Sequence, residues 1–386
     1  MSTDIVAVFK EVFGKAPVAA ARAPGRLEVL GNHTDYNEGL VLSAAVGQST
    51  EVALAPSDGD QCIIHNTMDG SQSEFALSEI DKKVPGEWTN YIKGLLVELR
   101  KRKKNFGAFK AALTSTVPLS AGMSSSAALE ISMGFALSSA FGIEMPPEEW
   151  ARAGQGVENN YLGVKTGLLD QFSSIFGKED SLILCDFRTV KVLKNVPLPH
   201  GYCLVVANTM VKHNLVDSDY NRRRESCERA LAGLKKKFTA IKALRDVTPE
   251  MLEEGKGLLE QLDYLRAAHV VGENDRVLKG VAALENGDIA AFGRLLFASH
   301  QSSRENFENS CPELDCLVEL ASSLPGCAGA RLSGGGFGGI SIHLVENAKA
   351  QEYCERLKTS YKLQTGRQTE TIICSIGAGA NVRSLA

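Results

Sequence analysis

The sequence excludes several classes of protein by what it lacks. Its nine cysteines include no Cys-x-x-Cys pair, and an odd, scattered count argues against both a disulfide framework and a zinc site. No uncharged apolar run reaches the roughly 20 residues that a membrane-spanning helix needs. Asp4, Lys10 and Glu11 interrupt the apolar residues at the start, so no signal-peptide core is present there. These absences predict a cytoplasmic protein in a reducing compartment. Neither sign of charge dominates, with 42 Lys+Arg against 46 Asp+Glu and a net charge of -4. That balance predicts no nucleic-acid track and no membrane attraction. The basic run at residues 100–104 reads as a solvated helix end.

Several catalytic signatures are also missing. No Gly-Lys-Ser/Thr triplet closes a P-loop, and no Gly-x-Gly-x-x-Gly follows the first strand. Histidines are not paired at metal-ligand spacing, and neither Ser-x-x-Lys nor Gly-x-Ser-x-Gly supports acyl chemistry.

Apolar residues make up 44% of the 386-residue chain, enough for a sizeable core, and the length favours two domains or one two-lobed unit. Helical periodicity marks residues 4–13, 90–100, 124–140, 148–160, 220–238, 249–268, 277–285, 289–300 and 349–359. Strand-like alternation marks 51–55, 61–65, 182–186, 202–207, 340–345 and 370–375, with a strand, polar turn and second strand across 19–46. Short strands mixed with helices in no strict alternation predict an α+β fold. The expected division places an N-terminal lobe at 1–200 and a C-terminal lobe at 201–386.

Two glycine-bearing segments can approach a ligand closely. Pro118-Leu119-Ser120-Ala121-Gly122-Met123-Ser124-Ser125-Ser126-Ala127-Ala128 joins a turn to a strong helix former. The first turn of such a helix has free N–H groups at the positive end of its dipole, a setting for phosphate. Its hydroxyls can cap the helix, bind phosphate oxygens or ligate Mg²⁺; alone, the segment fits an ordinary cap as readily as a phosphate cradle. Gly334-Gly335-Gly336-Phe337-Gly338-Gly339 can be a second cradle or a simple turn. Asp170 follows Leu168 and Leu169, so it lies near a buried surface and needs a cation or a substrate hydroxyl. Glu158 lies on a predicted helix, as a metal ligand or a solvated face. Arg26, after Pro24-Gly25, can hold a carboxylate while facing a phosphoryl group, and His33 and Asp35 offer polar contacts in the next turn.

Together these residues resemble a known family. Ala23-Pro24-Gly25-Arg26-Leu27-Glu28-Val29-Leu30-Gly31-Asn32-His33-Thr34-Asp35-Tyr36-Asn37 resembles the galactokinase signature Pro-Gly-Arg-Val-Asn-Leu-Ile-Gly-Glu-His-Thr-Asp-Tyr. Residues 122–128 resemble the phosphate motif of the wider galacto-, homoserine, mevalonate and phosphomevalonate (GHMP) kinases, and 334–339 their third motif. Further matches lie at 88–94, 167–172 and 310–315. The resemblance implies a two-lobed GHMP kinase fold with ATP and sugar meeting between the lobes. It implies Asp170 as the base at the C1 hydroxyl and Arg26 as its partner. It implies Asn32, His33, Asp35 and Tyr220 at the sugar, and Trp88 and Tyr91 near adenine. Gly122, Ser124, Ser125, Ser126 and Ala127 would hold the nucleotide phosphates, with Ser125 or Ser126 and Glu158 at Mg²⁺. Tyr220 is assigned through the run that starts at Lys212.

Three positions depart from the signature. Asn32 stands where the family has a glutamate that accepts from the sugar's C6 hydroxyl, Glu28 replaces an asparagine, and Ser43 replaces a proline. Glu28 and Ser43 are both expected near the pocket entrance. A neutral amide at Asn32 opens the alternative of a kinase for galacturonate or an amino-galactose. A non-catalytic sugar and ATP sensor is disfavoured by the intact serine motif, Arg26 and Asp170, and homoserine or mevalonate as substrate by His33-Thr34-Asp35-Tyr36. A monomer without a regulatory partner is expected.

Overall fold

The structure is a computed structural model that describes residues 4–118, 122–211 and 216–385, without the side chains of 216–218. Leu119, Ser120 and Ala121 of the serine motif, and Lys212 to Leu215 before Tyr220, lie outside the described residues. In chain order the elements are α1 (Ile5–Phe13), β1 (Ala19–Leu30), β2 (Leu40–Pro56), β3 (Gln61–Asn66), β4 (Gln72–Ala76), α2 (Thr89–Lys101), β5 (Phe109–Ser115), α3 (Ser125–Phe141), α4 (Pro147–Gly156) and α5 (Leu169–Phe176). There follow β6 (Ser181–Asp186), β7 (Lys191–Pro197), β8 (Tyr202–Asn208), α6 (Val216–Lys235), α7 (Pro249–Glu254), α8 (Gln261–Glu285) and α9 (Ile289–Ser302). The chain closes with α10 (Pro312–Ser323), β9 (Cys327–Ser333), β10 (Ile340–Glu346), α11 (Ala350–Thr365), β11 (Glu370–Cys374) and β12 (Asn381–Ser384).

Among the described residues one sheet has eight strands, in the order β12-β1-β2-β5-β3-β4, with β6 and β7 branching from β2. The branch is possible because β2 is 17 residues long: Leu40 to Ser43 pairs with β6, and Thr50 to Pro56 pairs with β5. The second sheet has four strands, β11-β8-β10-β9. Among the described residues only the pairing of β3 with β5 is parallel, which separates this α+β architecture from a doubly wound sheet. The chain crosses from the first sheet to the second between β7 and β8, but β12 returns to pair with β1. A single cut at residue 200 therefore does not separate the two sheets.

One apolar core lies between the first sheet and helices α2 to α5, and includes Val52, Leu96, Ile131 and Phe172. A second joins both sheets, bringing Leu27, Leu42 and Met123 against Leu204, Ile340 and Leu344. Helix α3 is apolar on nearly every side and is accordingly surrounded, contacting β1, β2, α2 and α5. Its Gly134 lets the Trp150 ring approach, since a Cβ there would sit 2.9 Å from ring carbons. No helix among the described residues is long and apolar enough to cross a membrane.

The helical pattern expected over 249–268 and 277–285 is replaced. The chain breaks at residues 255–260, and α8 then runs unbroken through 269–276. His269 and Glu273 are fully buried on α8, so a polar stretch that reads as a gap is an inward-facing part of the helix.

Candidate active site

Strand β1 carries the first part of the site through a break in its own ladder. The pairing of β1 with β2 shifts register between Pro24 and Arg26 and again between Glu28 and Leu30. Pro24 has no N–H to donate, and the Arg26 N–H turns to the Met123 carbonyl at 3.1 Å, in the loop before α3. Gly25 is required there, because a Cβ would lie 2.6 Å from the Met123 oxygen. The bulge thus joins the sugar signature to the start of α3.

Arg26 and Asp170 form a fork-to-fork pair. Arg26 Nε donates to Asp170 Oδ1 at 2.9 Å and Nη2 to Oδ2 at 2.8 Å, while Nη1 donates to the Gly122 carbonyl at 2.6 Å. Asp170 sits in the first turn of α5, where the helix dipole favours a carboxylate. Ser124, in the left-handed region at φ 56°, turns its Oγ to donate to Asp170 Oδ2. Its hydroxyl therefore faces the carboxylate instead of capping α3.

The turn after β1 is fixed from behind by α8. The Glu273 carboxylate accepts from the N–H groups of Gly31 and Asn32 at 3.0 Å each, and His269 Nε2 lies 3.2 Å from the Asn32 carbonyl. Burial would raise Glu273, but Arg276, His269 and Arg331 outweigh it and hold the carboxyl well below its usual range. His33 adopts φ 60° and is tied to Tyr36 Oη at 2.8 Å, Gly335 O at 3.3 Å and Asn309 Nδ2 at 3.1 Å. Burial lowers its pKa to about 3, with His269 adding to the effect, so it is a neutral imidazole. Asp35 accepts from the N–H groups of Tyr36 at 2.9 Å and Leu169 at 3.2 Å, and burial raises its pKa. The Tyr220 ring lies 5.0 Å from His33 and against Gly335. Arg26, Asn32, His33, Asp35, Asp170 and Tyr220 line one cavity of about 130 Å³.

A second cavity, of about 230 Å³, is more apolar and is lined by Trp88, Tyr91, Leu113, Ser125, Ser126 and Leu129. Ser126 Oγ donates to Glu158 Oε1 at 3.2 Å, and Thr166 Oγ1 donates to Glu158 Oε2 at 2.5 Å. Burial, with Asp170 nearby, pushes Glu158 up to about 7. The residues at the start of α3 thus connect both cavities: Ser124 reaches Asp170, while Ser125 and Ser126 face the second. Gly122 lies between Arg26 and Gly334, and Ala127 is buried in the first turn of α3.

Residues 7–56 match the galactokinase galactose-binding signature, 90–178 the GHMP kinases N terminal domain and 281–363 the GHMP kinases C terminal. A galactokinase of Chloroflexus aggregans is 38% identical over 381 residues, covering 98% of this chain and 97% of its own. One of Glaesserella parasuis is 39% identical over 383 residues, with 97% of each chain covered. The structure of Lactococcus lactis galactokinase complexed with galactose superposes with a TM-score of 0.92 at 32% identity, covering 97% of this chain and 98% of that one. The chain belongs to the galactokinase family. It has the GHMP kinase fold and is a sugar kinase, a family that implies ATP as a substrate.

Of the three departures read from the sequence, one lies away from the cavity. Ser43, expected at the pocket entrance, is fully buried in β2 and lies 2.8 Å from Ser173 Oγ, so it is a packing residue. Glu28 does line the sugar-side cavity. Burial raises its pKa to about 7, against the pull of Arg331, Arg26 and Asn32. Thr166 and Gly167 also line it, and Glu130 stands behind Glu158. Glu130 is fully buried, accepts from Gln171 Nε2 at 2.9 Å, and is pushed well up by burial and by Glu158. Glu28 was expected at the pocket entrance; Glu130 was not, though it had a legible signal, lying four residues from Ser126 on one helix. Asn309, which bonds His33 and Asn32, had none.

Among the described residues no group of three His, Cys, Asp or Glu side chains could hold a metal ion unaided. The oxygen pair of Ser126 and Glu158 nevertheless suits a hard cation that takes its remaining ligands from phosphates. The elevated Glu158 carboxyl, beside Asp170, has the electrostatics of a site that positive charge would relieve.

Proposed function

We propose that this protein transfers the γ-phosphoryl group of ATP to the anomeric C1 hydroxyl of galactose, giving galactose 1-phosphate and ADP. The observation that carries the reading is the continuity at the start of α3. One three-residue serine run touches Asp170 in the hydroxyl-lined cavity and faces the apolar cavity of Trp88 and Tyr91.

The chemistry follows from alignment and charge. Galactose occupies the smaller cavity, with Asn32, His33, Asp35 and Tyr220 around its hydroxyls. Adenine lies against Trp88 and Tyr91, and the phosphates meet the backbone from Gly122 to Ala127 at the positive end of α3. Asp170 orients the C1 hydroxyl and receives its proton as the new oxygen–phosphorus bond forms and the bond to the ADP oxygen breaks. Arg26 holds that carboxylate in one rotamer and faces the negative charge on the phosphoryl group. Mg²⁺, held by Ser126 and Glu158, with Ser125 as the alternative hydroxyl, would neutralise phosphate charge.

Parallel turnover assays with galactose, galacturonate, galactosamine and N-acetylgalactosamine test this reading. Galactose is expected to give the highest kcat/KM. A higher value for any of the other three would replace galactose as the substrate.

A further inference from the structure

Thr166 borders both halves of the site. It lines the smaller cavity beside Gly167 and Asp170, yet its hydroxyl is bonded to Glu158, whose carboxylate meets Ser126 of the second cavity. A threonine hydroxyl has one hydrogen, and two acceptors lie within its reach, Glu158 Oε2 at 2.5 Å and Asn159 Oδ1 at 3.1 Å. The shorter contact has the length of a hydrogen bond to a carboxylate, and it takes the hydrogen.

The backbone that carries this hydroxyl is clamped from two sides. The Thr166 carbonyl accepts from Gln155 Nε2 of α4 at 3.3 Å and from Asn159 Nδ2 at 3.2 Å. From α6, Arg224 Nη1 donates to the Lys165 carbonyl at 2.9 Å, and Asn221 Oδ1 accepts from the Lys165 N–H at 3.1 Å. Glu158 lies in a π-helical turn, Val157–Leu162, and the N–H groups of Gly163 and Val164 reach back to its carbonyl at 2.8 and 2.9 Å. The chain thereby doubles back, and Thr166 meets the side chain of Glu158 eight residues before it.

The groups around the Glu158 carboxylate differ in what they do when a cation arrives. Ser126 makes the longer hydroxyl contact, on Oε1 at 3.2 Å, and stands where the cation is assigned, so this bond gives way to metal. The Gln171 amide also faces Glu158, but it donates to Glu130 Oε2 at 2.9 Å. Thr166 keeps its short bond on the other oxygen.

Resting on the ATP-dependent reading above, we propose that Thr166 is a positioning residue for the metal: its hydroxyl holds Glu158 Oε2 and so keeps Oε1 beside Ser126 for the cation that accompanies the nucleotide. Although Thr166 borders the sugar, its hydroxyl serves the metal and not galactose.

The test measures, by calorimetry at pH 8, the affinity for the β,γ-imido analogue of ATP with saturating Mg²⁺ and without metal, and the affinity for galactose. The ratio of the two nucleotide affinities reports what the protein contributes to holding the metal, with no turnover involved. Thr166→Val keeps the shape of the side chain and removes the hydrogen, so the ratio should fall by about 10- to 100-fold, the scale of a partner behind a metal-binding carboxylate. Its affinities for galactose and for the metal-free analogue should stay within about threefold, and Thr166→Ser, which restores the hydroxyl, should stay within about threefold on all three measurements. An unchanged ratio in Thr166→Val, a loss that falls on galactose or equally on the metal-free analogue, or a serine variant as weak as the valine one would overturn the inference. If the unaltered protein binds the analogue equally with and without Mg²⁺, the metal assignment fails with it. If the unaltered protein binds the analogue but not galactose, the sugar reading fails, and the Mg²⁺ ratio still decides the role of Thr166.

Discussion

Replacing Asp170 by asparagine preserves the shape of the side chain and removes its charge, so it isolates what the carboxylate does. Two Arg26 N–H groups and the Ser124 hydroxyl converge on the two oxygens of Asp170. In Asp170→Asn one of those oxygens becomes an NH₂ that meets donors, and Arg26, itself only 5% exposed, loses its counter-charge. Removing one partner of a fully buried pair costs about 3–5 kcal/mol, but the Asp170 side chain is 26% exposed, so a stability loss of about 1–3 kcal/mol is expected. The kinetic loss should be larger. A positioned proton acceptor contributes about 10²- to 10⁴-fold, or about 3–5 kcal/mol of barrier. Steady-state kinetics should therefore show kcat falling by at least about 100-fold. ATP binding, followed by Trp88 fluorescence at a temperature where the variant remains folded, should change little. A folded Asp170→Asn protein with kcat within about tenfold of the original would refute the role assigned to this carboxylate.

Three other perturbations separate the parts of the site. Gly167→Ala would put a Cβ 1.6 Å from Asp35 Oδ2, and Asp35 is held by two backbone N–H groups, so KM for sugar should rise at least tenfold while KM for ATP holds; unchanged sugar KM would refute the placement of Asp35. Trp88→Ala should do the reverse, raising KM for ATP by about 10-fold through lost ring contact and leaving sugar KM intact, as steady-state kinetics with each substrate varied would show. Because Glu158 titrates near 7 when folded and 4.5 when unfolded, the folded state binds the extra proton between those values. Denaturation of the metal-free protein should therefore show its contribution to stability falling as pH rises from about 4.5 through 7. Glu158→Gln should flatten that slope, and an unchanged slope would show that another group carries it.

Much of the site was legible because it depends on local backbone chemistry. Pro24-Gly25 has to break the β1 ladder, and the run of serines after Gly122 opens a helix of small residues. Glu158 and Asp170 were legible as carboxylates close to these parts. The remainder depended on distant chain segments. Glu273 and His269 look like a polar interruption of a helix, and only the fold shows that they point at the backbone of residues 31 and 32. Arg331 and Asn309 reach the cavity wall from the second half of the chain, about 300 residues from their partners at 28 and 32. Short edge strands such as β4 and β12 also escaped, since an exposed strand such as β12 has little apolar alternation to reveal it. Asn32 was the most misleading residue. Alone it reads as a change of substrate, whereas the fold shows its amide already bonded to Glu28, Gly334, Asn309 and Ser303.

In the proposed reaction the Asp170 carboxylate directs phosphate to the anomeric oxygen of galactose. The most direct measurement is ³¹P–¹H correlation NMR on the product formed from ATP, Mg²⁺ and galactose. The phosphorus should couple to the anomeric proton, and the signal should be lost with Asp170→Asn under the same conditions. A phosphorus coupled to the C6 protons, or an undiminished anomeric product from the variant, would refute that role for Asp170.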